Sequence, residues 1–310
     1  MARKVIIIAD PGIDGAFAVA LALHDPELDV LALAATPGNV SGEQATHNLH
    51  ILIDHLDPVR WPRIGEAPAI AFDVNGAALH GPTGLGTASF PCAPLHHLHA
   101  AEKVVVDELH LHKGEVTIVC LGPTTVLARV LDREPELPRL VKQLVIMGGA
   151  WQEAGNAGPV SEFHFFCDPL SAHRVLHCGA VITLIPLDTM RKALFSPTDL
   201  QSIPKGETRA CQFLRKIVPF GINATAQMYG IEGFHLKDVL GVFYAAMPQA
   251  FKTKPMTVDV ETRGDVTRGM SVFDLRPQRL PPNVDLAIDV DLSAMRSYME
   301  RVFHCIPSED

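Results

Sequence analysis

The sequence predicts an α/β protein built on a mainly parallel central sheet with helices on both faces, and three features carry that expectation. Residues 5–9 form an apolar, β-branched run of strand length, Asp10-Pro11-Gly12 turns the chain, and from Asp14 onward Phe17, Leu21 and the intervening alanines recur at helical spacing. The same alternation of strand-length apolar runs and helical stretches continues to about residue 186. Repeated β-α units of this kind pair as parallel strands joined by helices. The third feature is composition: 310 residues, 47% hydrophobic and 20% charged, suffice for a sizeable core. No linker, internal repeat or low-complexity tract interrupts them, so a single domain over residues 1–310 is expected.

After the first helix, residues 29–35 read as a second strand ending in Thr36-Pro37-Gly38-Asn39. A helix starts near Ser41, with Glu43 in its first turn and His50, Ile51, Ile53 and Leu56 on later turns. Residues 62–64 fit a short edge strand. Residues 73–95 are rich in Gly and Pro, lack periodicity and contain His80-Gly-Pro-Thr-Gly-Leu-Gly86. A loop of that length in a compact domain is expected to be functional or mobile. Helix 100–112, strand 115–121, helix 124–131 and strand 144–147 follow, the last closing on Gly148-Gly149. Asp168-Pro169 marks a helix start, Asp as N-cap and Pro at the first helical position, with the helix running to about residue 177. Residues 181–186 are the next strand, closing on Asp188-Thr189. Beyond Pro197 the pattern turns helical, with one or two helices over 207–229 and another over 237–246. Strands 257–261 and 270–274 flank a turn at Arg263-Gly264-Asp265, and the last helix covers 292–304.

The net charge of −9, from 26 basic and 35 acidic residues, disfavours nucleic acid or an anionic membrane as partner. Mean hydropathy is only +0.17 and no apolar run reaches spanning length. The chain enters a strand directly after Arg3-Lys4 with no signal-peptide core, so a cytoplasmic protein is expected. Cysteines at 92, 120, 167, 178, 211 and 305 form no CxxC pair, and free buried thiols are expected. His96, His97, His99, His110 and His112 suggest a metal cluster by density alone, but no acidic or cysteine partners are expected to frame them, and a surface role is expected.

Asp10 and Asp14 stand four residues apart across the first strand-turn-helix junction. Both would face the crevice at the carboxyl end of a parallel sheet, where ligands of open α/β folds bind. Neighbouring carboxylates repel and are costly to desolvate, so a cation, a sugar hydroxyl or a proton is expected to share the site. The plainer alternative makes Asp14 a helix cap and Asp10 a solvated turn residue.

Asp10-Pro-Gly-Ile-Asp14 resembles the signature of the nucleoside hydrolases, the inosine/uridine-preferring N-ribohydrolase family, written Asp-x-Asp-Pro-Gly-x-Asp-Asp. Ile8 stands in place of its first Asp and Gly15 in place of its last. The similarity runs nearly end to end. It implies that Asp10 binds a calcium ion and orients or deprotonates the attacking water, and that Asp14 binds ribose hydroxyls. Pro37-Gly38-Asn39 resembles a second family stretch, implying that Asn39 reaches the bound nucleoside; a Gly-Asn turn is the local alternative. Leu121-Gly-Pro-Thr-Thr125 resembles the family's Leu-Gly-Pro-Leu-Thr-Asn, which implies the Leu121 main-chain carbonyl as a calcium ligand.

The stretch from Met147-Gly-Gly to Asp168-Pro169 resembles a family pattern reading Asn-x5-Glu-Phe-Asn before that Asp-Pro. Asn156 and Glu162 match it and are implied to hold the ribose 5′-hydroxyl. His164 replaces the Asn that holds the 2′ and 3′ hydroxyls; an imidazole hydrogen-bonds but does not offer donor and acceptor from one end. His235-Leu-Lys-Asp238 resembles the family's His-Asp-Pro or Trp-Asp, implying that Asp238 completes the calcium site and that Lys237 protonates the leaving base. A capping Asp beside a surface Lys is the alternative there.

The resemblance thus implies hydrolysis of the N-glycosidic bond of a ribonucleoside or related ribosyl compound, in nucleoside salvage, by a homodimer or homotetramer. Such cleavage passes through an oxocarbenium-like state, which requires a rigidly held ribose, a water on one face and a stabilised leaving base on the other. A Ca2+ site of Asp10, Asp238 and the Leu121 carbonyl lacks the carboxylate that Gly15 replaces and is expected to be weakened. The rival readings are a relative that binds a ribosyl ligand without hydrolysing it, and a phosphohydrolase. The latter needs an aspartate pair at i and i+2, which Ile8, Ala9 and Gly12 do not provide.

Overall fold

The computed structural model describes residues 2–91, 98–202 and 206–306. Its strands in chain order are β1 Arg3–Ala9, β2 Leu28–Ala35, β3 Arg63–Glu66, β4 His99–Ala100, β5 Thr117–Cys120, β6 Gln143–Met147, β7 Ile182–Ile185, β8 Leu194–Phe195, β9 Phe234–His235, β10 Phe251–Met256, β11 Val258–Val260, β12 Ser271–Phe273 and β13 Val284–Val290. Nine of these form one sheet in the order β10-β13-β7-β6-β5-β1-β2-β3-β4. All neighbours are parallel except β10, which runs antiparallel to β13 at the edge. The remaining strands make two small antiparallel pairs, β8 with β9 and β11 with β12.

Strand β1 sits between β2 and β5, so the chain winds outward in one direction through β2 to β4 and in the other through β5 to β7. The gap between β1 and β5 is therefore the point where strand order reverses, and the loops leaving the carboxyl ends of these strands diverge to open a crevice. Side chains of β1 alternate between two cores. Val5, Ile7 and Ala9 pack with helices α1 (Ile13–His24) and α2 (Gly42–Leu56) and with the helices Arg209–Tyr229, Val239–Ala246 and Leu292–His304. Ile6 and Ile8 pack on the opposite face with the helices Ala101–Leu111, Thr125–Arg133 and Pro169–Leu176. Helices thus cover both faces, as expected from period-2 strands that are apolar on both sides.

Most expected elements form within a residue or two of their predicted bounds, and the differences have physical causes. The strand expected at 62–64 forms as β3, but not at the edge, because His99–Ala100 pairs outside it and takes the edge itself. The stretch 207–229 is one helix, Arg209–Tyr229, which continues through Pro219 with the loss of one ladder donor. Strands β10 and β13 are not visible in the sequence pattern. In β10 the residues Lys252, Thr253, Lys254 and Pro255 are all exposed, which suits an edge strand and hides its apolar alternation. In β13, Asp285 and Asp289 break an otherwise apolar run.

Within its described residues the Gly-rich loop is packed around His80 to Gly86 rather than loose. It contains a single helical turn, α3 (Ala77–His80), and Gly81, Gly84 and Gly86 all take positive φ, the region that favours glycine. Buried Asn48 of α2 fastens it by donating to both Pro11 O (3.1 Å) and Thr83 O (2.8 Å). Cys120, Cys167 and Cys211 are buried and outside any disulfide, as expected, whereas Cys178 is half-buried and Cys305 exposed. Cys92, His96 and His97 lie outside the described residues. Contrary to the expectation that no acid frames these histidines, His110 meets Glu134 of a neighbouring segment at 2.7 Å, and His112 lies 3.9 Å from Glu108 one turn before it.

After β6 the chain turns at Gly148-Gly149 and returns through the short helix Phe163–Cys167, whose fully buried Phe165 ring lies against both glycines. A Cβ on Gly148 would stand 2.3 Å from that ring. Phe165→Ala should cost about 3–5 kcal/mol, because the close-packed glycines have no side chains with which to fill the void. Urea unfolding should show this as a lowered midpoint with an unchanged slope; a loss under about 1 kcal/mol would mean that the ring does not hold the two segments together.

Candidate active site

Asp10 leaves the carboxyl end of β1 at the switch point and is fully buried. The alternative of a solvated turn residue is therefore excluded. Its Oδ2 accepts the Asn39 backbone N–H at 2.6 Å, and the Asn39 Nδ2 donates back to the Asp10 carbonyl at 3.2 Å. Its Oδ1 has no partner among the described residues. Backbone closes in on both oxygens: a Cβ on Gly38 would lie 2.0 Å from Oδ2, and one on Gly122, just after β5, 2.7 Å from Oδ1. Burial, with a small contribution from Asp14, pushes the Asp10 pKa up to about 7 against the opposing pull of His164 and the Asn39 amide.

Asp14 does not cap α1. The N-cap is Gly12, which offers no side chain, and Asp14 sits in the first turn, buried, with its Oδ1 unpartnered. Its neighbour is His80 of α3, whose Nδ1 lies 3.7 Å from Asp14 Oδ1. That contact is not an ion pair, because the same Nδ1 accepts the Ile13 backbone N–H at 3.1 Å and so carries no proton. Burial likewise pushes the His80 pKa down. A Cβ on Gly12 would meet the His80 ring at 2.7 Å, which explains the glycine in the turn.

Glu162 is the N-cap of the helix Phe163–Cys167. Its Oε2 accepts three backbone N–H groups, from Gly149 (3.2 Å), His164 (3.0 Å) and Phe165 (3.2 Å). His164 is buried, and its Nδ1 bonds the Met147 carbonyl at 3.0 Å. A carbonyl only accepts, so Nδ1 carries the proton and Nε2 is the free nitrogen. Burial opposes a charge on this ring, but Glu162 and Asp10 outweigh it and lift the His164 pKa. Asn156 is exposed and gives its Oδ1 to the Phe163 N–H at 2.9 Å.

Asp238 precedes the helix Val239–Ala246 but makes no side-chain cap, and it is buried. Burial, then Asp14 and Asp10, raise its pKa well above the carboxylate range. Lys237 is half-buried and forms no ion pair among the described residues. His235 is held neutral, its pKa lowered to about 4 by burial and by Lys237 and Arg191.

These side chains line one cleft holding about 690 Å³ of empty space: Asp14, Asn39, Asn156, Glu162, His164, Lys237 and Asp238. Asp10 lies beneath its floor, and Leu121 is buried in the core next to Gly122. The cleft also takes His80, Asn75, Phe163, Met190, Met228 and Tyr229, none of which the sequence reading singled out as site residues. His80 had a visible signal, a histidine opening a glycine-dense aperiodic loop. Tyr229 and Met228 had none, since they close a long helix. Beside the cleft lies a more apolar pocket that shares Leu79, Asn156, Tyr229 and Lys237 and adds Leu187, Ile231 and Phe234.

The donor set of Asp10, Asp14 and Asp238 suits a hard cation: all are carboxylates, two have orphaned buried oxygens and the third is raised by the other two. Their ligand atoms do not all come within 4.8 Å of one another, so an ion would have to draw them together. The two replaced signature positions differ in consequence. Ile8 is buried in the core on the far face of the sheet, whereas Gly15 faces the carboxylates, with a Cβ there only 3.1 Å from Asp238 Oδ2. Gly15 is in α1 and is not among the residues with positive φ, so its backbone does not require glycine.

The chain matches the family model for inosine-uridine preferring nucleoside hydrolases over residues 5–297. It is 32% identical to the inosine-uridine preferring nucleoside hydrolase of Leishmania major, over 94% of this chain and 95% of that protein. It is 31% identical to the probable uridine nucleosidase 2 of Arabidopsis thaliana, over 94% and 95% respectively. Among solved structures, the purine-preferring ribonucleoside hydrolase from Gardnerella vaginalis superposes with a TM-score of 0.91 at 27% identity, over 98% of this chain and 99% of that one. A plant nucleoside hydrolase, PpNRh1, gives a TM-score of 0.90 at 27% identity with the same coverage. Since both the sequence match and the superposition run through every segment that lines the cleft, this chain belongs to the inosine-uridine preferring nucleoside hydrolase family.

Proposed function

We propose that this chain hydrolyses the N-glycosidic bond of ribonucleosides, releasing base and ribose, with Asp10 orienting and deprotonating the attacking water. Family membership supports the reaction class. The observation that carries the role of Asp10 is its fully buried carboxylate with one oxygen unpartnered beneath the cleft. A fold leaves such an atom unsatisfied at a cost, and a site of function is where that cost is found.

The ribose is held, in this reading, by Asp14, Asn39, Asn156, Glu162 and His164. For three of them hydrogen bonds within the protein support it, because each uses one end and leaves the other: the Nδ2 amide of Asn156, Oε1 of Glu162 and Nε2 of His164. A hard cation, calcium in this proposal, would be held by Asp10, Asp238 and the Leu121 carbonyl, and when bound it supplies positive charge that lowers the pKa of the attacking water. The buried carboxylates favour the positive charge that develops on the sugar as the bond to the base breaks. Lys237 protonates the departing base. Its position at the junction of the cleft and the apolar pocket supports this role. The same reading includes a cytoplasmic homodimer or homotetramer acting in nucleoside salvage on small molecules, without nucleic acid or membrane partners. Among the described residues no helix is long and apolar enough to cross a membrane.

Asp10→Asn keeps the side-chain size and removes the charge, so base release from a nucleoside panel should fall at least about 100-fold. The same substitution reports on burial. The folded pKa of Asp10 lies above its unfolded value of 3.8, so between pH 4 and pH 7 the folded state keeps a proton that the unfolded chain has lost. Ionisation of Asp10 therefore opposes folding as pH rises through that window, by on the order of 4 kcal/mol once complete. In EDTA, Asp10→Asn should gain melting temperature relative to wild type at pH 8 and lose that advantage at pH 4. A pH-independent difference, or activity retained in the variant, would remove Asp10 from the role assigned to it.

Gly15→Asp restores the fourth signature carboxylate next to Asp238. In EDTA it should melt below wild type through added like-charge repulsion, and calcium should more than reverse this, with an affinity at least roughly tenfold tighter by calorimetry. Equal affinities in the two proteins would show that Gly15 is not a missing ligand position.

Lys237→Met should slow nucleoside cleavage by about 100-fold or more, yet barely affect an activated aryl riboside whose leaving group needs no proton. Equal losses on both substrates would assign Lys237 to binding instead of proton transfer.

A further inference from the structure

We propose that His173, His177 and Asp259 form a second metal site, for zinc or a similar first-row divalent ion, on the surface of the protein and separate from the carboxylate cleft. Each of the three offers a ligand atom within 4.8 Å of the others, and no other His, Cys, Asp or Glu group among the described residues does so. His173 lies in the last turn of the helix Pro169–Leu176, and His177 follows it by one turn, at the C-cap. Residues at i and i+4 share a face, so both rings project together, their centroids 4.5 Å apart. Asp259 comes from the neighbouring strand β11.

The three side chains are also pre-oriented. The Nδ1 of His177 bonds the His173 carbonyl at 2.8 Å, which fixes its proton there and leaves Nε2 as the free donor. The Nδ1 of His173 bonds Asp259 Oδ1 at 2.6 Å, and that carboxylate is itself anchored by the Val260 backbone N–H at 2.7 Å. Two imidazoles and one carboxylate are borderline donors that suit Zn2+ and its neighbours over Ca2+ or Mg2+. A tetrahedral zinc with bonds of about 2.0–2.1 Å leaves its fourth position to water. The rings and the carboxylate lie at the surface, with side-chain exposures of 46% for His173 and 56% for Asp259, so an ion can reach them from solvent.

An ion here would tie the end of the helix to the β11–β12 hairpin. That hairpin supports the loop carrying Asn156 and Glu162: Ser271 of β12 exchanges hydrogen bonds with the Ala150 backbone at 2.8 Å, and Arg268 donates to the Phe166 carbonyl at 3.1 Å. The site nonetheless shares no residue with the cleft.

The test is calorimetric titration of the EDTA-stripped, dialysed protein with Zn2+ alone as the added probe, in millimolar Ca2+ to compete at the carboxylate cleft. Wild type should bind one zinc per chain at this site, and zinc should raise its melting temperature. His177→Ala and His173→Ala, both surface substitutions, should each weaken zinc at least about tenfold and abolish the thermal shift, with circular dichroism unchanged. Co2+ should give visible absorption of tetrahedral intensity in wild type and not in His177→Ala. Zinc affinity unchanged in both histidine variants, or no binding by wild type, would overturn the proposal and leave His173 and Asp259 as a surface ion pair.

Discussion

The burial of one carboxylate governs the arrangement of this protein. Asp10 is placed where the sheet reverses its winding, and the chain segments after β2 and β5 approach it so closely that neither Gly38 nor Gly122 has room for a side chain. Asn39 answers with a reciprocal pair of hydrogen bonds, and the backbone of Gly76 then bonds the Asn39 carbonyl at 2.9 Å. The loop that forms the cleft wall is thus built outward from the carboxylate in successive contacts. Any displacement of Asp10 would be transmitted to that wall through backbone, which yields less readily than side chains.

The charges around the cleft follow from this arrangement. Asp10, Asp14, Asp238 and Glu162 bring four acids together, with Lys237 and His164, whose pKa Glu162 and Asp10 raise against the effect of burial, facing them. His80 and His235, which could have balanced them, are kept neutral by burial. Burial and crowding instead keep protons on part of this cluster, with Asp10 raised to about 7 and Asp238 well above the carboxylate range. A cation that displaced those protons would be favoured there over an anionic ligand.

Much of this was legible in the sequence because it depends on short-range patterns. Strand-turn-helix junctions fix where Asp10, Asn39 and Asp238 emerge, and the Asp168-Pro169 cap is read directly from residue type, with Asp168 accepting from Ser171 N as expected. Features that depend on distant partners were not. Strands β10 and β13 conceal their apolar faces behind lysines, a proline and two aspartates. The neutrality of His80 rests on an amide 67 positions away in the chain. The acid beside His110 likewise comes from another helix. The unequal weight of Ile8 and Gly15 could not be read from their shared membership of a motif, because one points into an apolar core and the other towards Asp238.

The three amides gathered by Glu162 have a further consequence for how this protein can change over time. One oxygen of that side chain terminates a helix and fixes the Gly148-Gly149 turn, so the residue answers to folding before it answers to any ligand. A lineage under selection for a different substrate cannot trade Glu162 away without first rebuilding the turn. The Met228 and Tyr229 side chains at the rim carry no such second duty, so change there reshapes the mouth of the cleft without disturbing the turn beneath it.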